Sequence, residues 1–204
     1  MKKILLFLAV SFCAISMNAQ NVFQNPGFEN WTGTLTLNPS NWNSLGMLGV
    51  NLCNISRSTE SHSGNYAVSV GAKQLPASVA TMLGIPQTTV PGFLTNATID
   101  MTALLNLFTS DSMNLTLEQV MTIFTDGAPL TQKPTSVNGY YSWNPIDENN
   151  ESFLLYTFVV SNVSGTREVV GVSIYSPLIP SKATYTSFES PITYINEVST
   201  PTEL

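Results

Sequence analysis

Cationic side chains are scarce. The 204-residue chain holds seven Lys and Arg against thirteen Asp and Glu, and residues of either charge make up only 10%. Nucleic acid is excluded as a partner, because binding phosphates needs a basic surface and none can be assembled. The same poverty argues against long amphipathic helices, whose outer faces need charge. Histidine occurs once, at His62, and cysteine twice, at Cys13 and Cys53, so a zinc shell has too few ligands. No G-x-S-x-G elbow is present, and with a single histidine a hydrolase triad lacks both its nucleophile context and a choice of base.

Long apolar runs are missing everywhere but at the start. Lys2 and Lys3 precede an apolar stretch from Ile4 to Val10, extended by Phe12 to Ile15, and Ala19 stands before Gln20-Asn21. This order of charge, apolar core and small residue is that of a secretory signal peptide over residues 1–19, with Met17 at the third position before the cut. The apolar core is shorter than the about 20 residues that span a bilayer. Phe12 before Cys13 argues against a lipoprotein. No later segment could form a membrane span, so the product is expected to be secreted or held at the cell surface, with the periplasm also open. Removal of residues 1–19 leaves 185 residues, and five cations against thirteen acids give a net charge of −8. Only Cys53 then remains, which forbids an intramolecular disulfide. The spacing predicts a buried, inert thiol.

What is abundant is Ser, Thr, Asn, Gly and Pro between short apolar runs, the pattern of an all-β chain. Tyr66-Ala-Val68-Ser-Val70 alternates cleanly and ends at Gly71. Phe153 to Val160 is nearly continuous and reads as a central strand covered on both faces. Ser161 to Gly165 turns the chain, and Glu168 to Tyr175 returns, so residues 153–175 read as one long hairpin. Pro191 to Ile195 supplies a further strand. One short helix is expected over about 116–125, because Thr116-Leu-Glu-Gln119 fits a capping box and Leu117, Val120, Met121 and Phe124 follow at helical spacing. Residues 20–196 form a single domain on this reading, best met by an antiparallel jelly-roll β-sandwich, and residues 197–204 read as a flexible, unpacked tail.

Asn25-Pro-Gly-Phe-Glu-Asn-Trp31 resembles the opening of jelly-roll carbohydrate-binding domains. With Pro39-Ser-Asn-Trp42, Ser61-His-Ser-Gly64, Lys133-Pro134, Gly139-Tyr-Tyr141 and the strand Gly171–Tyr175, the order of motifs is similar to that of the carbohydrate metabolism domain family. Its members are exported by gut and oral anaerobes and taken to be galactose-binding-like β-sandwiches. The similarity runs from about Val22 to Ile195. It implies a galactose-binding-like fold, and at Glu29 it implies a carboxylate ligand of one structural calcium ion; a plain hydrogen-bonding role for Glu29 is the alternative. Relatives continue into a closing pair of strands after the equivalent of Ile192–Ile195, which this sequence does not show. The run 192–195 is therefore expected to pair on one side only, guarded by Glu189, Pro191 and Glu197, with weak self-association through it.

Saccharides are held by aromatic faces and by polar groups on their hydroxyls. Tyr141 and Trp143 share one strand face, with Tyr140 on the other, and Trp31 and Trp42 flank the first turns. These four, Tyr141, Trp143, Trp31 and Trp42, are the candidate ligand-binding residues, although the same rings also suit a sandwich core. Asp147, Glu148 and Glu151 follow Pro145 among asparagines and read as a solvated turn rather than a catalytic pair. Asp111-Ser112-Met113 resembles an O-glycosylation triplet of exported anaerobe proteins. The leading expectation is a non-catalytic glycan-binding domain. The competing ones are a structural or adhesive surface protein and a glycoside-processing enzyme.

Overall fold

The computed structural model describes residues 21–33, 37–47, 50–84, 89–109, 116–145, 153–176 and 182–204. The expected signal peptide, the triplet at Asp111 and the acids Asp147, Glu148 and Glu151 lie outside these. Strands dominate and every described pairing is antiparallel. The principal elements are β1 (Asn54–Ser58), β2 (Ala67–Gly71), α1 (Ala77–Met82), α2 (Met101–Thr109), α3 (Leu117–Ile123), β3 (Ser136–Trp143), β4 (Leu155–Val163), β5 (Thr166–Tyr175), β6 (Lys182–Pro191) and β7 (Thr193–Tyr194). Two-residue pairings such as Trp31–Thr32 with Asn38–Pro39 fill much of the rest. No described helix is long and apolar enough to cross a membrane.

The expected hairpin is β4–β5, joined by a tight turn in which Ser164 and Gly165 both take positive φ (54° and 80°). Two such residues give a turn whose twist matches that of the flanking strands. The register runs from Val163↔Thr166 to Leu155↔Tyr175 and slips by one residue between Val159 and Val160. That bulge packs an extra valine inward, and Val159 and Val170 are both fully buried. β4 is not covered on both faces along its whole length, because Tyr156 is exposed and Val160 alone is bridged on the far side, by Glu203. In β2 the alternation is broken: Val68 is half-buried, Val70 is exposed and Tyr66 lies outside the strand.

β3 pairs with β6, while β4, β5 and β7 form a second sheet. The two sheets meet where the hydroxyls of Ser173 and Ser190 hydrogen-bond in a buried contact, and within the second sheet Gly171 makes room for the Ile192 side chain and the Tyr194 ring. One core, of Leu130, Val159, Val170 and Leu204, is joined here by Val22, Phe23, Val137, Ile192 and Tyr194. A second core gathers Leu45, Leu52, Cys53, Leu75, Val90, Leu104 and Ile123 under the helices. Cys53 is buried as expected, its thiol directed at the Phe93 carbonyl, but Leu52 is buried beside it, so no strand alternation separates the two.

Two expectations change. Three helices are described, not one. α3 has its capping box, with Gln119 N–H donating to Thr116 Oγ1 and Thr116 N–H donating to Gln119 Oε1. α2 starts at Asp100, whose Oδ1 accepts from Thr102 and Ala103 N–H, and α1 starts at Pro76 with no side-chain cap. Second, residues 197–204 are not an unpacked tail. Val198 is exposed in a turn held by Asn196, but Pro201 and Leu204 are buried. Residues 202–204 run between β4 and the segment 128–130: Leu130 N–H donates to Thr202 O, Val160 N–H to Glu203 O, and Ala128 and Leu204 exchange a pair of backbone bonds. Glu203 also pairs with Arg167 at 2.9 Å. The described pairings form small sheets, and with strands dominant and helices few the chain is all-β as expected.

Candidate functional site

The N-terminal motif builds a turn. Phe28 N–H donates to Asn25 O, while the Asn25 side chain donates to Asn30 O and Ser40 O and accepts from Asn30 N–H. Asn25 and Phe28 both hold positive φ (53° and 57°), and for an aromatic residue that is a strained conformation which the surrounding contacts must maintain. Trp42 supplies them. Its ring lies 5.6 Å from that of Phe23 and 5.1 Å from that of Phe28, and its indole N–H donates to Gln24 O and Asn25 O. Trp31 donates its indole N–H to Phe28 O at 2.6 Å. Both tryptophans are half-buried parts of this turn.

Glu29 leaves the turn toward the loop between β1 and β2. Its Oε1 accepts from the N–H groups of Asn65 and Tyr66 at 2.9 and 3.2 Å, and Oε2 accepts from Asn65 Nδ2. These donors, the Tyr66 N–H foremost, hold its pKa below the ordinary glutamate range. Gly64 is required here twice over, by its φ of 72° and because a Cβ would overlap Glu29 Oε1. Calcium needs six or more oxygen lone pairs. N–H donors on both carboxylate oxygens make the surroundings of a satisfied anion, and they do not fit a cation shell. Through these bonds Glu29 ties the N-terminal turn to the loop.

Tyr141 and Trp143 stand on the inner side of β3, at the end of the sheets where β3 ends and β4 begins. Tyr141 lies 5.1 Å from Phe153, 5.9 Å edge-on from Tyr175 and 6.3 Å from Phe188, and Trp143 stacks on Phe153 at 5.8 Å. Tyr175 and Phe188 close the cluster at 5.1 Å. Gly139 makes room for it, since a Cβ there would stand 2.9 Å from the Phe188 ring. The hydroxyls of Tyr175 and Tyr141 hydrogen-bond at 3.4 Å; this contact, and then burial, hold Tyr141 above its ordinary pKa. The result is a wall of five rings with two hydroxyls set in it.

The structure thus brings Tyr141 and Trp143 together but not with Trp31 and Trp42; among the described residues no ring contact joins the two groups. Sequence reasoning placed Tyr140 on the opposite face and passed over its neighbours. Tyr140 is 54% exposed, and His62 stacks on it with ring centroids 3.4 Å apart. Only the lone histidine in a Ser-His-Ser-Gly turn marked the spot in the sequence. Compared with family models, curated proteins and solved structures, the chain finds no match.

Proposed function

We propose that this is an exported, non-catalytic carbohydrate-binding protein of the jelly-roll, galactose-binding-like kind. Saccharide is taken at the end of the sheets where Trp143 and Tyr141 stand. The observation that carries this reading is the half-buried Trp143 ring stacked on Phe153 and backed by the paired Tyr141 and Tyr175 hydroxyls. Stacked rings take the C–H faces of a sugar and hydroxyls take its edges. The signal-peptide pattern at residues 1–19 supports release to the secretory route or the cell surface, and the scarcity of cations supports an uncharged partner. A glycan array probed with the 20–204 chain, followed by titration of the bound glycans, tests it. Trp143→Ala should weaken binding by about tenfold, the worth of one stacked ring. Unchanged affinity in Trp143→Ala would remove this site.

A second reading, an adhesive or self-associating surface protein, is favoured by one feature. The outer face of β4–β5 leaves Tyr156 53% and Ile174 61% exposed, with Ile195 exposed beyond β7. Among the described residues β7 pairs on one side, through Thr193↔Val172 and Tyr194↔Gly171, while Ile192 before it donates its N–H to Thr135 O. An exposed apolar strip beside a free edge favours pairing between copies. Sedimentation over a wide concentration range decides it, a constant monomer arguing against it.

A further inference from the structure

The face of β3 opposite Trp143 carries a second aromatic patch. Strand pairing sets Tyr140 beside Ser187 and Asn138 beside Glu189, and alternation along β6 puts Tyr185 on the same face. The loop between β1 and β2 folds over this face. The His62 ring lies flat on Tyr140, 10° from parallel, and 6.0 Å edge-on from Tyr185. The Tyr185 hydroxyl donates to Glu60 O at 2.8 Å. The loop is anchored on its other side by Glu29, through Asn65 and Tyr66, so the imidazole is positioned from two directions. Tyr140 has one ring face covered and still leaves 54% of its surface in water; its other face is open.

We infer that Tyr140, His62 and Tyr185 form a second saccharide subsite, selective for neutral or amine-bearing sugars. The inference rests on the carbohydrate-binding reading above. Three rings offer stacking faces, and Asn138, Ser187 and Glu189, exposed in the same strand positions, offer an amide, a hydroxyl and a carboxylate to sugar hydroxyls. Charge selects the class. Glu189 lies on this face and the Glu60 carboxylate acts on Tyr185. Arg57 is placed over the Tyr66 ring at 4.4 Å. In a chain with net charge −6 such a face repels sulfate and uronate groups.

His62 is the only histidine in the chain, so its imidazole C–H signals in a proton spectrum of the untagged protein report on this patch alone, while the indole N–H signals report on the tryptophans. The 20–204 chain is titrated with cellotetraose, a galactose-terminated tetrasaccharide, a chitosan tetramer and a heparin tetrasaccharide. The expected result is a saturable shift of the His62 signals with a neutral or amine-bearing probe, kept in Trp143→Ala and lost in Tyr140→Ala. Should Tyr140→Ala fail to fold, Tyr140→Leu keeps apolar bulk on the strand while removing the ring. Movement of an indole signal with His62 unmoved would overturn the second subsite and leave the first. If no signal moves with any probe up to millimolar concentration, both are overturned. A larger His62 shift with the heparin fragment would overturn the charge selectivity.

Discussion

Stopping the chain after Pro201 tests the packing of residues 202–204, and the expected loss can be worked from the contacts. Six backbone hydrogen bonds disappear, linking Thr202, Glu203 and Leu204 to Ala128, Leu130 and Val160. At a net ~1 kcal/mol each they contribute about 5–6 kcal/mol, allowing for the Val160 carbonyl shared by two donors. The buried Leu204 side chain adds about 2 kcal/mol. The Arg167–Glu203 pair, whose side chains are 22% and 17% accessible, lies between the surface and buried cases and adds about 1 kcal/mol. Against this, three residues regain freedom worth about 1.5 kcal/mol each. The net loss is about 4 kcal/mol, and at a slope of about 2 kcal/mol/M it moves the urea midpoint down by ~2 M. The assay is equilibrium urea unfolding followed by tryptophan fluorescence. A midpoint within about 0.3 M of the 204-residue chain would show that these residues do not belong to the fold.

Further outcomes follow from single contacts. Thr116→Ala should cost about 1 kcal/mol in the same assay, and Thr116→Ala/Gln119→Ala little more, because the capping box is reciprocal; fully additive losses would deny the box. Gly139→Val should displace the Phe188 ring, cost about 1–3 kcal/mol and weaken the near-ultraviolet dichroism of the aromatic wall; an unchanged spectrum would place Phe188 elsewhere. Because the folded-state pKa of Glu29 is depressed, its stabilisation is present above the ordinary glutamate value and lost as pH falls through the depressed one. The melting temperatures of wild type and Glu29→Gln should therefore differ most near neutral pH and converge below about pH 4; a constant difference would contradict the hydrogen-bonded carboxylate. Excess chelator should leave the wild-type melting curve in place, and a fall would restore calcium to Glu29.

Local signals in the sequence were legible, and distant ones were not. Thr116 and Gln119 announce α3 because both halves of a capping box lie within one turn. The hairpin is written in β-branched residues on either side of Ser164-Gly165. Asp100, a residue type that caps helices, was a readable start for α2. α1 offers neither a capping side chain nor a charge in its end turns. The segment Glu197–Leu204 looks like a loop because Pro201 and Glu203 have low strand preference, and what orders it lies at Val160 and Ala128, distant in sequence. The aromatic strand was read with the correct alternation. Which of its faces is accessible depends on His62, placed by a loop 78 residues upstream of Tyr140, and on Tyr185 in a strand that follows.

The side-chain amide of Asn96 donates to the carbonyl of Leu204 at 2.7 Å, across 108 positions of chain. That carbonyl also accepts from Ala128 and lies against Gly127. The helical half and the hairpin half are therefore fastened by residues that follow both in the chain, the helical half by about 80 positions and the hairpin sheet by eight. Until residue 204 has emerged, Val160 and Ala128 lack their hydrogen bonds to residues 202–204, and one of the two cores is without Leu204. A chain delivered N-terminus first therefore makes this seam as a late step. The rate of that step is set by a long loop closure rather than by any local turn.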